Sequence, residues 1–516
     1  MEIPYNPALF QMEANFVFSG FCVTGALFAI VFFLGQRTKA AMAVFLSACF
    51  IWGTANCFVA SFKGQPILPS DILALQTAAS VGGGYSYAVE DGVLFAFALL
   101  ATMAAAIVVV SPTRRSARDV CIDTSAGICL LAAFCLWFCA VDIEDDYDCT
   151  VDVWSSLDSY QQSGSLLCFL QRSQLLTPEA PEGYSAEQAA LIRAEKADIA
   201  RAAEALDETP ATAPDVRPAV VAIMNETFSD LSRYPGIDEV YDGPRALRGL
   251  DTLIEGDCYV SAMGGGTCNS EFEFLTGSSM GMLGAGVYPY MLYDLQDADN
   301  LAGYLSSIGY KTSAIHPAQK QNWRRDRVYD QLGFDAFYSE EHFEGAEMFR
   351  GMVSDGATYD LILELLAQDD SPQFIFDVTI AGHGGYDTGM VEEADTVHAP
   401  IDGTEHAELN EYLSCVKRAD EELGAFLDRL SELDRPVVVC FFGDHQPGFV
   451  DWLSQETHGR AGSDLSEIEL VQQRYVTPYM IWTNDEELRA ASGGPEVRDT
   501  SLNYLGAALL LSLIHI

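Results

Sequence analysis

The stretch PVVVCFFGDHQP, Pro436 to Pro447, sets six apolar residues directly ahead of an Asp–His pair. A short β-branched and aromatic run closed by glycine reads as a buried strand, Pro436–Phe442, followed by Gly443-Asp444-His445. Three other runs have the same form. Ala219–Met224 (AVVAIM) leads into Asn225-Glu226-Thr227, Thr312–Ile315 (TSAI) into His316, and Phe374–Ile380 (FIFDVTI) into Ala-Gly-His383. They alternate with helical stretches such as Tyr412–Leu430, the pattern of an α/β domain with a mainly parallel sheet. Ligands of such sheets sit at the carboxyl ends of the strands. Four strands that each end in Glu or His therefore bring metal-ligand chemistry to one edge.

Between the first and second of these strands lies GGGTCNSEFEFLTG, Gly264 to Gly277. Three glycines deliver the chain to Thr267 beside Cys268, and a helix-like run begins. Cysteine is the better nucleophile near neutral pH, so a threonine needs help in losing its proton. Glu226, Asp444 and His445 offer that help, because two carboxylates and an imidazole suit a divalent cation such as Mn²⁺, Zn²⁺ or Mg²⁺. A cation on Thr267 Oγ would favour the alkoxide as it favours hydroxide from bound water. Free N–H groups at the start of a helix near Cys268 would favour a phosphate oxygen. Taken alone, Thr267 reads as a helix cap and Asp444-His445 as a loop pair; it is their combination that points to catalysis. Glu271 and Glu273 suit a helix N-terminus or an outer contact to the site.

The N-terminal part is of another kind. The 516-residue chain is 49% apolar yet carries 74 acidic against 28 basic residues, a formal charge of −46. Acidic and apolar residues are segregated. Runs at 14–36, 40–62 and 92–113 hold no charge, and a fourth at 120–141 is uncharged from Thr124 on. Each approaches the roughly 20 residues of a membrane-spanning helix. Arg37 and Lys39 lie between the first two, and Arg114, Arg115 and Arg118 between the last two. The positive-inside rule then puts these loops in the cytoplasm and the large C-terminal part outside. The organisation expected is a transmembrane domain (1–141), a helical connector (142–216) and an extracytoplasmic catalytic domain (217–516). Within the connector, Ser185–Leu206 reads as an amphipathic helix capped by Ser185. An outward N-terminus without a signal peptide, and a C-terminal GAALLLSLIHI that stops inside an apolar run, lead us to expect a natural chain longer at both ends.

Seven of the 13 cysteines fall in or beside the spans, and Cys149 and Cys168 could pair in an oxidising compartment. The acidic exterior excludes nucleic acid as a partner, which needs a basic face. Its densest basic cluster is KQNWRRDR, Lys320 to Arg327, suited to an anionic substrate. His342, His398, His406 and His458 have no such context and are expected at the surface, and Gly82–Gly84 reads as a hinge between the second and third spans.

GGGTCNSEFEFLTG, Asn225-Glu226-Thr227 and FGDHQP (Phe442–Pro447) together resemble the lipoteichoic acid synthase group, membrane-anchored phosphoglycerol transferases of the alkaline phosphatase/sulfatase superfamily. The resemblance covers nearly all of the outer domain. It implies a sulfatase-like fold and one metal ion, usually Mn²⁺, on Glu226, Thr267, Asp444 and His445, with Thr267 as nucleophile. It also implies head-group binding by Trp323 and Arg325, with His316 and His383 as further site residues that shuttle protons or touch substrate. The chain departs from the pattern in the Gly-Gly after His383 and in Arg324, where asparagine is common, and it shows four spans where five are usual. The function expected is transfer of phosphoglycerol from phosphatidylglycerol to an envelope acceptor, a glycolipid or a polyglycerolphosphate chain, by a multi-pass protein of a bacterial cell membrane. A phosphoethanolamine transferase and an inactive membrane sensor are the alternatives. Sulfate-ester hydrolysis is set aside, because Cys268 is followed by Asn-Ser-Glu-Phe and lacks the Pro and Arg of a formylglycine motif.

Overall fold

Runs of apolar residues with no polar face become four long helices in the computed structural model: α1 (Ala14–Leu34), α2 (Lys39–Lys63), α3 (Asp91–Val109) and α4 (Ala117–Ala140). All four are long and apolar enough to cross a membrane. The structure describes residues 1–514 apart from 82–88, 110–115, 153, 178–182, 193, 195–216, 285, 369, 462–463 and 493–494. The Gly82–Gly84 hinge and most of the expected helix beyond Ile192 therefore lie outside the described residues. Its start is seen, where the Gln188 N–H donates to Ser185 Oγ at 3.0 Å. Asp123, the one acid at the edge of the fourth run, is buried and paired with Arg37 at the turn after α1. This joins the two helices at their cytoplasmic ends.

After α4 the chain makes short helices that pack back on the membrane helices through Ile143, Tyr160 and Leu167, with Val23 and Leu68 in the same cluster. Cys149 and Cys168 lie side by side there as buried thiols, their sulfurs 3.8 Å apart.

The outer domain is built on β1 (Ala219–Asn225), β2 (Ile254–Tyr259), β3 (Lys311–Ile315), β4 (Ala336–Tyr338), β5 (Gln373–Val378), β6 (Val437–Gly443), β7 (Val476–Thr483), β8 (Glu496–Val497) and β9 (Thr500–Ser501). The order is β8-β2-β7-β6-β1-β5-β3-β4, with β9 also on β2. The half formed by β6, β1, β5, β3 and β4 is parallel, whereas β7 runs antiparallel to both β6 and β2. Central strands β1 and β6 are almost wholly apolar because both faces are covered. Along β1, Ala219, Val221 and Ile223 join one core while Val220, Ala222 and Met224 join the other. Helices α5 (Thr267–Thr276) and α8 (Leu502–Ile514) pack together on one side of the sheet. Helices α6 (Asp355–Gln368) and α7 (Ala407–Ser431) cover the other. Four parallel strands then end on one edge, with Glu226, His316, His383 and Asp444 in the segments that leave it.

Candidate active site

Two backbone devices shape the centre. Gly264, Gly265 and Gly266 all have positive φ (65°, 141° and 86°), which lets the loop turn sharply into α5 with Thr267 as its first residue. At the end of β6, a Cβ on Gly443 would lie 1.8 Å from the Phe228 carbonyl oxygen, so only glycine lets the β1 and β6 loops meet.

Their meeting brings the acidic ligands together. Thr267 is 6% exposed and its Oγ1 lies 3.3 Å from Glu226 Oε2. Glu226 Oε1 accepts from Thr227 Oγ1 at 2.9 Å, and Asp444 Oδ1 accepts from the N–H groups of Thr227 and His445 at 2.7 and 2.8 Å. Ligand atoms of Glu226, Asp444 and His445 fall within 4.8 Å of one another. His445 Nδ1 faces the Gln446 carbonyl at 3.0 Å, which can only accept, so in the neutral ring Nε2 presents a lone pair. That Nε2 and Asp444 Oδ2, 3.2 Å apart, are both buried without a hydrogen-bond partner. Burial first, and then the Glu226 carboxylate, push the Asp444 carboxyl up, while burial holds the His445 imidazole down. Orphaned acceptors among crowded carboxylates fit a divalent cation, which would complete both groups.

Next to Thr267 the Cys268 thiol is fully buried, and burial followed by Glu271 raises it well above the ordinary thiol range. A thiolate is thus disfavoured where the threonine hydroxyl is served. His316 is buried with Nδ1 2.8 Å from the Val378 carbonyl oxygen, leaving Nε2 as its acceptor. Burial first, and then the Arg325 guanidinium, hold it well below the usual imidazole range. His383 is half-buried. Trp323 lies on another flank, its ring edge-on to Tyr288 at 4.8 Å. It and Arg324 hold φ of 55° and 57°, left-handed values that non-glycine residues adopt where a site imposes them.

Arg325 has a more specific setting than a basic cluster suggests. Its guanidinium is buried, with Nε and Nη2 2.9 and 2.5 Å from Glu271 Oε1 on α5. Tyr329 donates to the other oxygen of Glu271 at 2.6 Å. Glu273 accepts from Ser261 Oγ and the Met280 N–H, a structural duty. His458, expected at the surface, is buried, its Nε2 2.7 Å from Gln473 Oε1. The helix Val450–Ala461 turns this histidine inward toward the Tyr234 ring, 6.0 Å away.

Behind β1, Asp355 accepts from Asn225 Nδ2 at 2.7 Å and is pushed up to about 7, by burial first and then by Glu422. Its folded pKa lies above its unfolded one, so the stability it contributes is present at low pH and is lost as pH rises to about 7. Asp355→Asn is expected to flatten this fall, measured as urea midpoints of the full chain between about pH 4 and pH 8.

A family model described as Sulfatase matches residues 218–510, most of the outer domain. The chain belongs to the sulfatase family. Among relatives of this sulfatase-family chain is a Rhizobium meliloti (strain 1021) protein named for cyclic beta-1,2-glucan modification, 29% identical over 64% of this chain and 50% of its own length. A lipoteichoic acid synthase of Staphylococcus saprophyticus is 25% identical over 34% of this chain and 26% of its own. The chain spans about half the length, or less, of these curated relatives. The solved Streptococcus pyogenes phosphoglycerol transferase GacH, in complex with sn-glycerol-1-phosphate, is similar at TM-score 0.49 and 23% identity, over 65% of this chain and 83% of that one. The sulfatase-superfamily membership that the motifs imply is borne out by the family model. With its four apolar helices, this member of the family is a multi-pass membrane protein whose sulfatase-family domain lies outside the cytoplasm.

Proposed function

We propose that the protein transfers phosphoglycerol from phosphatidylglycerol to a hydroxyl of a cell-envelope acceptor, a glycolipid or a growing polyglycerolphosphate, through a covalent intermediate on Thr267. The observation that carries this is the buried threonine hydroxyl 3.3 Å from Glu226, beside the unpartnered Asp444 Oδ2 and His445 Nε2. Membership of the sulfatase family and relatives named lipoteichoic acid synthase support it. Glu226, Asp444, His445 and Thr267 Oγ1 would hold the divalent cation, Mn²⁺ in the first place and otherwise Mg²⁺ or Zn²⁺, which supplies Lewis-acid activation of the hydroxyl and of the phosphoryl oxygens.

Thr267 Oγ loses its proton and bonds to phosphorus, the bond from phosphorus to the diacylglycerol oxygen breaks, and that oxygen takes up a proton. An acceptor hydroxyl then gives up its proton and bonds to the same phosphorus, the bond from phosphorus to Thr267 Oγ breaks, and that oxygen takes up a proton. His316 Nε2 and His383 would carry these protons. Arg325 brings its charge and its remaining Nη1 edge to the phosphate, and Trp323 flanks the head group. Headgroup-labelled phosphatidylglycerol and phosphatidylethanolamine, given separately to the full chain in proteoliposomes, test the reading. Release of diacylglycerol and a phosphoglycerol adduct from the first alone is the expected result. Turnover of phosphatidylethanolamine alone would make the protein a phosphoethanolamine transferase.

A further inference from the structure

The membrane part touches the nucleophile loop directly. Helix α2 ends at Lys63, and its last carbonyls fill the space beside two glycines of the site. A Cβ on Gly264 would lie 2.4 Å from the Lys63 carbonyl oxygen, and one on Gly448 would lie 2.0 Å from that of Phe62. The Lys63 side chain then runs along Gly265, its Cγ 3.9 Å from where a Cβ there would sit. Its ammonium donates to Asp71 Oδ1 at 2.8 Å and to Tyr288 Oη at 2.7 Å, which leaves one of three N–H donors over. The Tyr288 ring lies 3.6 Å from the Cβ position of Gly266 and meets Trp323 on its other side. The short helix Leu75–Val81 after α2 reaches that tryptophan as well, where Thr77 Oγ1 accepts from its backbone N–H at 3.2 Å. A cleft opens here, lined by Lys63, Trp154, Gly265, Gly266, Asn269 and Tyr288.

Lys63 marks the depth at which a membrane helix leaves the bilayer, which is also the depth of phospholipid phosphates. It is a cation beside the loop that carries Thr267, in an otherwise acidic exterior. We propose that Lys63 binds the phosphodiester of the donor glycerophospholipid at the mouth of the Thr267 site, so that the second membrane helix forms one wall of the active site. This rests on the reading that the donor is a membrane phosphodiester. Asp71 and Tyr288 hold the ammonium in place, and the remaining N–H makes a charge-assisted bond to a phosphate oxygen.

The test compares wild type, Lys63→Met and Lys63→Arg as full chains in proteoliposomes, with phosphatidylglycerol or phosphatidylethanolamine as donor. For the donor used, Lys63→Met is expected to raise KM about tenfold or more with a smaller change in kcat, while Lys63→Arg recovers most of the loss. Melting temperatures of the two variants should agree. An unchanged KM in Lys63→Met would overturn the proposal, as would equal loss in both variants with a matching fall in melting temperature, the mark of a role in packing alone. If wild type uses phosphatidylethanolamine only, the phosphoglycerol reading fails while the Lys63 comparison is decided on that lipid. If it uses neither, both fall.

Discussion

Thr267→Ala is expected to lower turnover by roughly 10⁴- to 10⁶-fold, the scale seen when a covalent nucleophile is removed from a unit of cooperating groups. The geometry sets this expectation. Thr267 Oγ1 is the hydroxyl that faces Glu226 from the start of α5, and the adjacent Cys268 is buried in surroundings that disfavour its thiolate. Diacylglycerol release from phosphatidylglycerol measures the loss, and intact-protein mass spectrometry should show the phosphoglycerol adduct gone. Thr267→Ser keeps the oxygen and should retain both signals. Cys268→Ala should leave the adduct in place. An adduct that survives in Thr267→Ala would remove this residue from the reaction.

The second large effect concerns stability. Glu271 is completely buried and binds Arg325 and Tyr329, two residues from a separate segment. Its replacement by glutamine strands a buried guanidinium, at a cost of about 3–5 kcal/mol. Thermal or urea unfolding of the full chain in detergent should show this as a lowered midpoint. Replacing both partners by methionine should recover a large part, because two apolar groups need no partner. A double variant as weak as the single one would mean that packing, rather than stranded charge, dominates.

The same pair shows what the sequence could and could not disclose. Strands β1 and β6 were legible because burial on both faces leaves an unbroken apolar run, which in β5 only Asp377 interrupts, and the polar residues after them mark the edge. The grouping of Glu226, Asp444 and His445 follows from that pattern. The resemblance implied a head-group role for Arg325, but nothing local discloses that Glu271, 54 residues earlier, meets its guanidinium as well. The antiparallel course of β7 leaves no trace in alternation, because a buried strand has the same composition in either direction. His458 was misread because a helix that closes over the core turns one face inward, and a single histidine does not declare which face it occupies. Lys63 and Tyr288, 225 residues apart, meet only through the docking of a membrane helix on the outer domain. A lone lysine in an acidic outer loop was the one available signal.

The carbonyls of Phe62 and Lys63 stand where Gly264 and Gly448 have no side chains, so membrane helix and outer domain share a seam with no filler of its own. Cutting the chain after the spans would bare a strip of glycine backbone beside Thr267 and admit water where a helix end belongs. A soluble fragment would in that sense present a surface that the tethered protein never shows.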